Sequence, residues 1–184
     1  YLGDKTGQGF YKKTKEKDAN GRPVILALNL ETLEYEPSQK PNLPSLGLAK
    51  QIDDLKKRIP AIFAAEDKGG ELIRRSLLGL FAYVSNRIPE ISDNLYSIDD
   101  ALRAGFAWEL GPFEYWDLVG VQKGMELAAS QGEKVASWVK DFLAAGHTTF
   151  YKREGGKRLY YDIPSKTYLP IPGADEFIIL DNYR

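Results

Sequence analysis

Ser97-Ile98-Asp99-Asp100-Ala101-Leu102-Arg103-Ala104-Gly105-Phe106-Ala107-Trp108-Glu109-Leu110-Gly111-Pro112-Phe113-Glu114-Tyr115-Trp116-Asp117-Leu118-Val119-Gly120 carries two helix starts in one run. The first is expected at Ser97, whose hydroxyl suits an N-cap, with Asp99 and Asp100 placed where the positive end of the helix dipole favours acids. The second opens at Gly111-Pro112, because a proline at the first helical position loses no needed N–H and has the right φ. Between them lies a corner dense in aromatic side chains. This stretch therefore sets a helix–turn–helix corner, and the fold class follows from what flanks it.

Upstream, Leu72, Ile73, Leu77, Leu80, Phe81, Val84 and Ile88 recur at helical spacing, which predicts a long helix over residues 71–92. Pro89 is expected to kink or end it. Leu48, Ile52, Leu55 and Ile59 predict a helix over 48–58 that Pro60 interrupts, and Asp67-Lys68-Gly69-Gly70 reads as a turn. Downstream, helices are expected over 121–130 and 133–145, with Gly146 ending the second in the left-handed conformation. Residues 9–37 read as β-rich, with two strands around the turn signal Asp18-Ala19-Asn20-Gly21. Residues 148–168 return to strand signals around Gly155-Gly156. The expectation is mainly α: a core of about four to six helices with two small β-hairpin appendages, each needing a surface to pack on. The terminal run Phe177-Ile178-Ile179-Leu180 reads as the first strand of a neighbouring domain.

The two β-regions resemble each other. Phe10-Tyr11-Lys12-Lys13 recurs as Phe150-Tyr151-Lys152-Arg153, an offset of 150 − 10 = 140 residues. The run Asn29 to Pro37 is echoed from Asp162 to Pro170, an offset of 162 − 29 = 133. The difference places 7 extra residues in the first loop, between Lys15 and Arg22.

Composition narrows the functional classes. A net charge of −1, from 25 basic and 26 acidic residues, gives no reason to expect nucleic acid or an anionic membrane as partner. Cysteine is absent, which removes disulfides and thiolate metal sites and is compatible with a cytoplasmic setting. No apolar run approaches the roughly 20 residues that span a bilayer. With 43% hydrophobic residues there is ample material for a packed core.

The corner resembles the C-terminal domain of the 3-hydroxyacyl-CoA dehydrogenases. The elements that carry the resemblance are Ser97-Ile98-Asp99, Gly105-Phe106, Gly111-Pro112-Phe113-Glu114 and Asp117-Leu118-Val119-Gly120. A second motif, Leu2-Gly3-Asp4-Lys5-Thr6-Gly7-Gln8-Gly9-Phe10-Tyr11, is similar to the signature that closes that domain. In the family the closing signature follows the Gly-Pro-Phe-Glu element, whereas here it precedes it. Together with the internal repeat, this order implies duplicated copies. Residues 1–43 would be the end of a first copy with its hairpin and linker, and residues 44–147 the helical part of a second. Residues 148–172 would be the second hairpin, and 173–184 a linker towards a following domain. The resemblance implies a parent enzyme of fatty-acid β-oxidation that oxidises 3-hydroxyacyl-CoA to 3-oxoacyl-CoA with NAD. It implies a nucleotide-binding Rossmann domain and an enoyl-CoA hydratase domain as partners in the same chain. This segment would serve interdomain packing, homodimerisation or closure over acyl-CoA. The alternative is a stand-alone helical protein-interaction module.

The chain's own chemistry is sparse. Gly7-Gln8-Gly9 has no strand leading into it and is followed by strand-like residues, so it does not read as a dinucleotide turn. Gly155-Gly156-Lys157 reads as a hairpin turn. The single histidine, His147, follows a helix end and has no sequence-near acid, so it reads as a helix-terminus residue. Arg74-Arg75 reads as a solvent-facing pair, with contact to a CoA phosphate as the other reading. Asn86 matches a family asparagine only locally and takes no role. No catalytic, cofactor-binding or metal residue is assigned to the segment itself. Phe106, Trp108, Phe113, Glu114, Trp116 and Asp117 are the candidates for a cleft or interface. The bland reading makes the rings core and has Glu114 or Asp117 bind backbone N–H groups.

Overall fold

A computed structural model describes residues 3–39 and 41–174, the side chain of Asp4 excepted. The run Phe177 to Leu180 lies outside the described residues. The chain divides into two compact units, Tyr1–Asn42 and Leu43–Arg184.

The first unit is a three-stranded antiparallel sheet in the order β1 (Tyr11–Lys17), β2 (Pro23–Leu28), β3 (Tyr35–Pro37), preceded by a short 3-10 turn, Asp4–Thr6. Asp18 closes the β1–β2 loop, its Oδ1 accepting from Asn20 N and Arg22 N at 2.9 and 2.8 Å.

The second unit is helical with a sheet at its end. Its helices are α1 (Pro44–Ala49), α2 (Leu55–Ala64), α3 (Lys68–Ser85), α4 (Leu95–Phe106), α5 (Pro112–Val119), α6 (Val121–Ser130) and α7 (Ser137–Ala144). The strands are β4 (Tyr151–Glu154), β5 (Lys157–Asp162) and β6 (Thr167–Pro170), antiparallel in that order. Helix α3 is the central helix and packs on α2, α5 and α6. Leu78 and Phe81 on its inner face are fully buried, and the Phe81 ring stacks on Trp116 at 4.9 Å. Burying such side chains stabilises by roughly 1.5–3 kcal/mol each.

Mainly α with two small sheets is the architecture expected, with corrections at element level. Each appendage has three strands and is no simple hairpin, because the repeated Tyr-X-Pro segments, Tyr35-Glu36-Pro37 and Tyr168-Leu169-Pro170, add an edge strand. Proline is tolerated there because an edge position needs no donor on its outer side. Seven α-helices are found among the described residues. The expected helix over 48–58 is two helices, because the Asp54 carboxylate accepts from Lys56 N at 2.9 Å and starts α2 afresh. Pro60 lies inside α2 as its sixth residue, where its missing N–H removes one intrahelical bond. Asp67-Lys68-Gly69-Gly70 is not a free turn but the capped start of α3, Asp67 accepting from Gly70 N at 2.9 Å. Helix α3 ends at Ser85, ahead of Pro89, which disfavours helical geometry at the residue before it. The cap of α4 is Asn94, whose Oδ1 accepts from Ser97 N at 2.9 Å, so Ser97 lies in the first turn. Residues 131–136 are not helical. Gly132 N and Glu133 N instead bond Ala129 O and Ala128 O, closing α6 in a Schellman turn. Gly146, at φ +85°, closes α7 the same way, with Gly146 N on Leu143 O and His147 N on Phe142 O. That left-handed position is the one the sequence assigns to glycine.

The two sheets have one register. Tyr11 pairs with Ala27 and Leu28 with Tyr35 in the first, and Tyr151 pairs with Tyr160 and Tyr161 with Tyr168 in the second. These are the residues related by the two sequence offsets. Leu33 and Lys166, also related, both take positive φ, at 58° and 55°. The Tyr35 hydroxyl donates to Gly9 O, and the Tyr168 hydroxyl donates to Thr149 O. Lys12 lies over the Tyr35 ring as Lys152 lies over the Tyr168 ring. The extra residues of the first copy lengthen β1 and its connection to β2, and the register shifts within β1 between Lys13 and Lys17.

Candidate functional site

The corner between α4 and α5 is held by a carboxylate from outside the second helix. Gly111, the N-cap of α5, has no side chain to cap with. Asp99 does so from α4, Oδ1 accepting from Phe113 N at 2.9 Å and Oδ2 from Glu114 N at 3.3 Å. A Cβ at residue 111 would lie 2.2–2.4 Å from Asp99 atoms, so glycine is required by close approach. Asp99 Oδ2 also accepts from the Tyr151 hydroxyl at 2.7 Å, joining the corner to β4. Asp99 is fully buried. Burial pushes its carboxyl up to about 7, against the donors from Phe113 and Tyr151 that favour the charged form. The Tyr151 hydroxyl is raised by burial and then by the neighbouring Asp99.

Glu114 and Asp117 follow one and two turns on. Glu114 Oε2 accepts from Gly111 N at 2.6 Å, the reciprocal half of a capping box. The same carboxylate is held between the Arg103 and Arg158 guanidiniums, one from α4 and one from β5. Arg158 also lies over the Tyr151 ring, 4.2 Å from its centroid. Asp117 accepts from Phe150 N at 2.7 Å and Tyr151 N at 3.0 Å, fixing the first residues of β4. Its carboxyl too is pushed up to about 7 by burial, opposed by those two backbone bonds.

Beside this network runs a cleft of about 540 Å³. Lys56, Arg103, Glu109, Glu114, Asp117, Tyr151, Lys152, Arg153 and Arg158 line it, with Leu110 and Leu118 as apolar wall. Its cations outnumber its acids. Each acid of the network is engaged in positioning: Glu114 between two guanidiniums, Asp117 on the backbone of β4, Asp99 on that of α5.

The sequence candidates separate accordingly. Phe113 and Trp116 are fully buried, their rings 6.4 Å apart, so the core reading holds for these two. Phe106 is 71% exposed, and Trp108 is half-buried, edge-on to Tyr115 at 5.7 Å. Glu114 and Asp117 both bond backbone N–H groups and both line the cleft. The residues that sequence reading missed as parts of the site are Asp99, Arg103, Tyr151 and Arg158. A signal for Asp99 was present: it sits on the buried stripe Leu95, Ile98, Asp99 of α4, where an acid must find donors.

Elsewhere, Arg74 does not face solvent. Its guanidinium donates to Phe63 O at 2.9 Å and to Ala65 O, closing the end of α2. Arg75 is exposed beside Glu71. Asn86 caps α3 and donates to Lys134 O at 2.7 Å. His147 packs its ring against Phe142, Tyr161 and Tyr168. Gly7-Gln8-Gly9 leads into strand β1, and Gly155-Gly156 is a two-residue turn with both φ positive. Neither fits a dinucleotide, and both sheets are antiparallel. Among the described residues no group of three or more His, Cys, Asp or Glu could hold a metal ion, and no helix is long and apolar enough to cross a membrane.

Comparison with known proteins shows what the chain is similar to. A Bacillus subtilis protein provisionally named 3-hydroxyacyl-CoA dehydrogenase is 36% identical over 162 residues, 88% of this chain and 20% of that protein. Two proteins provisionally named fatty acid oxidation complex trifunctional enzyme are also similar. The Rickettsia felis protein is 25% identical over 113 residues, 61% of this chain and 14% of its own length. The Rickettsia prowazekii protein is 22% identical over 144 residues, 78% and 18%. This chain thus spans a fifth or less of the length of these relatives. No family model matches, and no solved structure matches. The resemblance read from two motifs therefore extends over most of the chain.

Proposed function

We propose that this chain is a supporting segment of a longer 3-hydroxyacyl-CoA dehydrogenase of fatty-acid oxidation, and that the redox chemistry lies elsewhere in that polypeptide. The observation that carries the reading is the 36% identity over 88% of the chain to a relative more than four times its length. In this reading NAD is held by a Rossmann domain outside residues 1–184, and acyl-CoA is handled by the assembled enzyme. The segment contributes interdomain packing, dimerisation or closure of the substrate cleft. The matching registers of the two sheets support a duplication, with residues 1–43 ending one copy and residues 44–172 forming the other.

The engagement of Asp99, Glu114 and Asp117 favours a scaffold over a catalyst. General acid–base work needs a carboxyl free to approach substrate, and each of these is spent on backbone or guanidinium donors. A second reading, a stand-alone interaction module, draws on the exposed ring of Phe106 next to Trp108.

Oxidation assays separate the readings. The purified 184-residue chain is expected to leave NAD unreduced in the presence of 3-hydroxybutyryl-CoA and its longer-chain homologues, while the full-length gene product reduces it. Turnover by the isolated chain, or none by the full-length product, would refute the proposal.

A further inference from the structure

The two sheets share a register but not an environment. In the second unit Phe150 is fully buried, with its ring 5.0–5.6 Å from those of Phe113, Trp116, Trp138 and Phe142. Its N–H and that of Tyr151 end on Asp117. Tyr160 and Tyr161 of β5 are buried with it. Of the equivalent residues of the first sheet, Ala27 and Leu28 are half-buried, but Phe10 and Tyr11 are bare. Phe10 is 69% and Tyr11 65% exposed, and among the described side chains no carboxylate accepts from their N–H groups as Asp117 does from Phe150 and Tyr151. Leu28 N nevertheless bonds Phe10 O at 2.8 Å, as Tyr161 N bonds Phe150 O at 2.8 Å. Phe10 is therefore held by its sheet in the pose that, in the other copy, enters a helical core.

A large ring, a tyrosine and two outward N–H groups in one fixed array make a complementary surface, not a random exposed residue. We infer that the Phe10–Tyr11 end of the first sheet seats a second helical body, built like residues 44–147 and supplied by polypeptide outside residues 1–184. That body offers an aromatic pocket for Phe10 and a helix-borne carboxylate for the N–H groups of Phe10 and Tyr11. Two observations select this occupant. Among the described residues, the partner surface on view for such a sheet is of this build. The relatives are more than four times the length of this chain, so they have length for another such body. A second copy of the chain is not the occupant, because its own pocket is filled by Phe150.

The inference rests on the reading that the chain lies within a longer protein. The test compares Phe10→Ala in the 184-residue chain and in the full-length gene product, by thermal unfolding. In the 184-residue chain the midpoint should stay within about 1 °C. In the full-length protein it should fall by about 5 °C or more for one cooperative unit, by the usual conversion for a lost core ring, and Phe10→Leu should restore part of it. Amide exchange gives a second readout: Phe10 and Tyr11 N–H should be protected in the full-length protein and unprotected in the short chain. Equal exchange in both, an unchanged midpoint in both, or a dimer of the short chain that Phe10→Asp dissociates would each overturn the inference. If Phe10→Ala destabilises a full-length protein that oxidises no hydroxyacyl-CoA, the activity reading fails and the seat remains.

Discussion

The sheet at residues 11–37 and the sheet at residues 151–170 are the same object in two settings. Strand pairing, a positive-φ residue, a tyrosine hydroxyl bond and a lysine over a tyrosine ring all repeat. Burial does not: Phe150 is enclosed and Phe10 is 69% exposed. The difference teaches that register and burial have separate causes. Register comes from turns and cross-strand pairs within about thirty residues, whereas burial requires a surface made elsewhere.

The contrast is sharpest at the two phenylalanines. Phe150→Ala should cost the 184-residue chain about 3–5 kcal/mol, the range for a buried aromatic ring. Phe10→Ala should stay within about 0.5 kcal/mol, as for an exposed position. Denaturant melts of both variants check this, and similar losses would erase the distinction.

Next in size is the clasp on β4. Asp117→Ala should cost about 2–4 kcal/mol at neutral pH, because it leaves two N–H groups without an acceptor. Asp117 also predicts a pH dependence. Its carboxyl and that of Asp99 are raised to about 7 in the fold, from about 4 in the unfolded chain. Between those values the native state binds more protons. The stability these groups contribute is therefore full below about pH 4 and is lost as pH rises through about 7. Asp117→Asn cannot titrate and should flatten that decline, and a profile as steep as the parent's would count against the assignment.

The tyrosines that open the two sheets should differ by less. Tyr151→Phe removes one of three donors to Asp99 and should cost about 1–1.5 kcal/mol, while Tyr11→Phe should be silent in the 184-residue chain. The smallest effect is also the one that should be equal. Tyr35→Phe and Tyr168→Phe each lose the hydroxyl bond to a backbone carbonyl two residues ahead of the first strand of the sheet, about 1 kcal/mol apiece. Amide exchange in each sheet reads this, and a loss confined to one copy would show that the internal devices are not shared.

Much of this was legible because it is local. Gly111-Pro112 opens α5 and Gly146 closes α7 for reasons contained within one helical turn. Where expectation and structure differ, the competing signal was also local but stronger: Asn94 caps ahead of Ser97, Asp54 restarts a helix, and Gly132 closes α6 so that Glu133 begins no new one. The site was less legible. Glu114 and Asp117 stood out by spacing, but Arg158 reaches Glu114 across 44 residues and Tyr151 reaches Asp99 across 52, distances over which spacing carries no information.

By itself, then, the sequence determined the mainly helical class, the corner at residues 97–120, the repeat offsets and the resemblance carried by two motifs. Each depends on neighbours a few residues apart or on likeness between segments. Only the tertiary structure decided that Asp99 caps a helix it does not belong to, that Asp117 clasps β4, and that one of two equivalent phenylalanines is buried. Those outcomes depend on which surfaces are brought together, and a side chain's free energy is set by what surrounds it once the chain has folded.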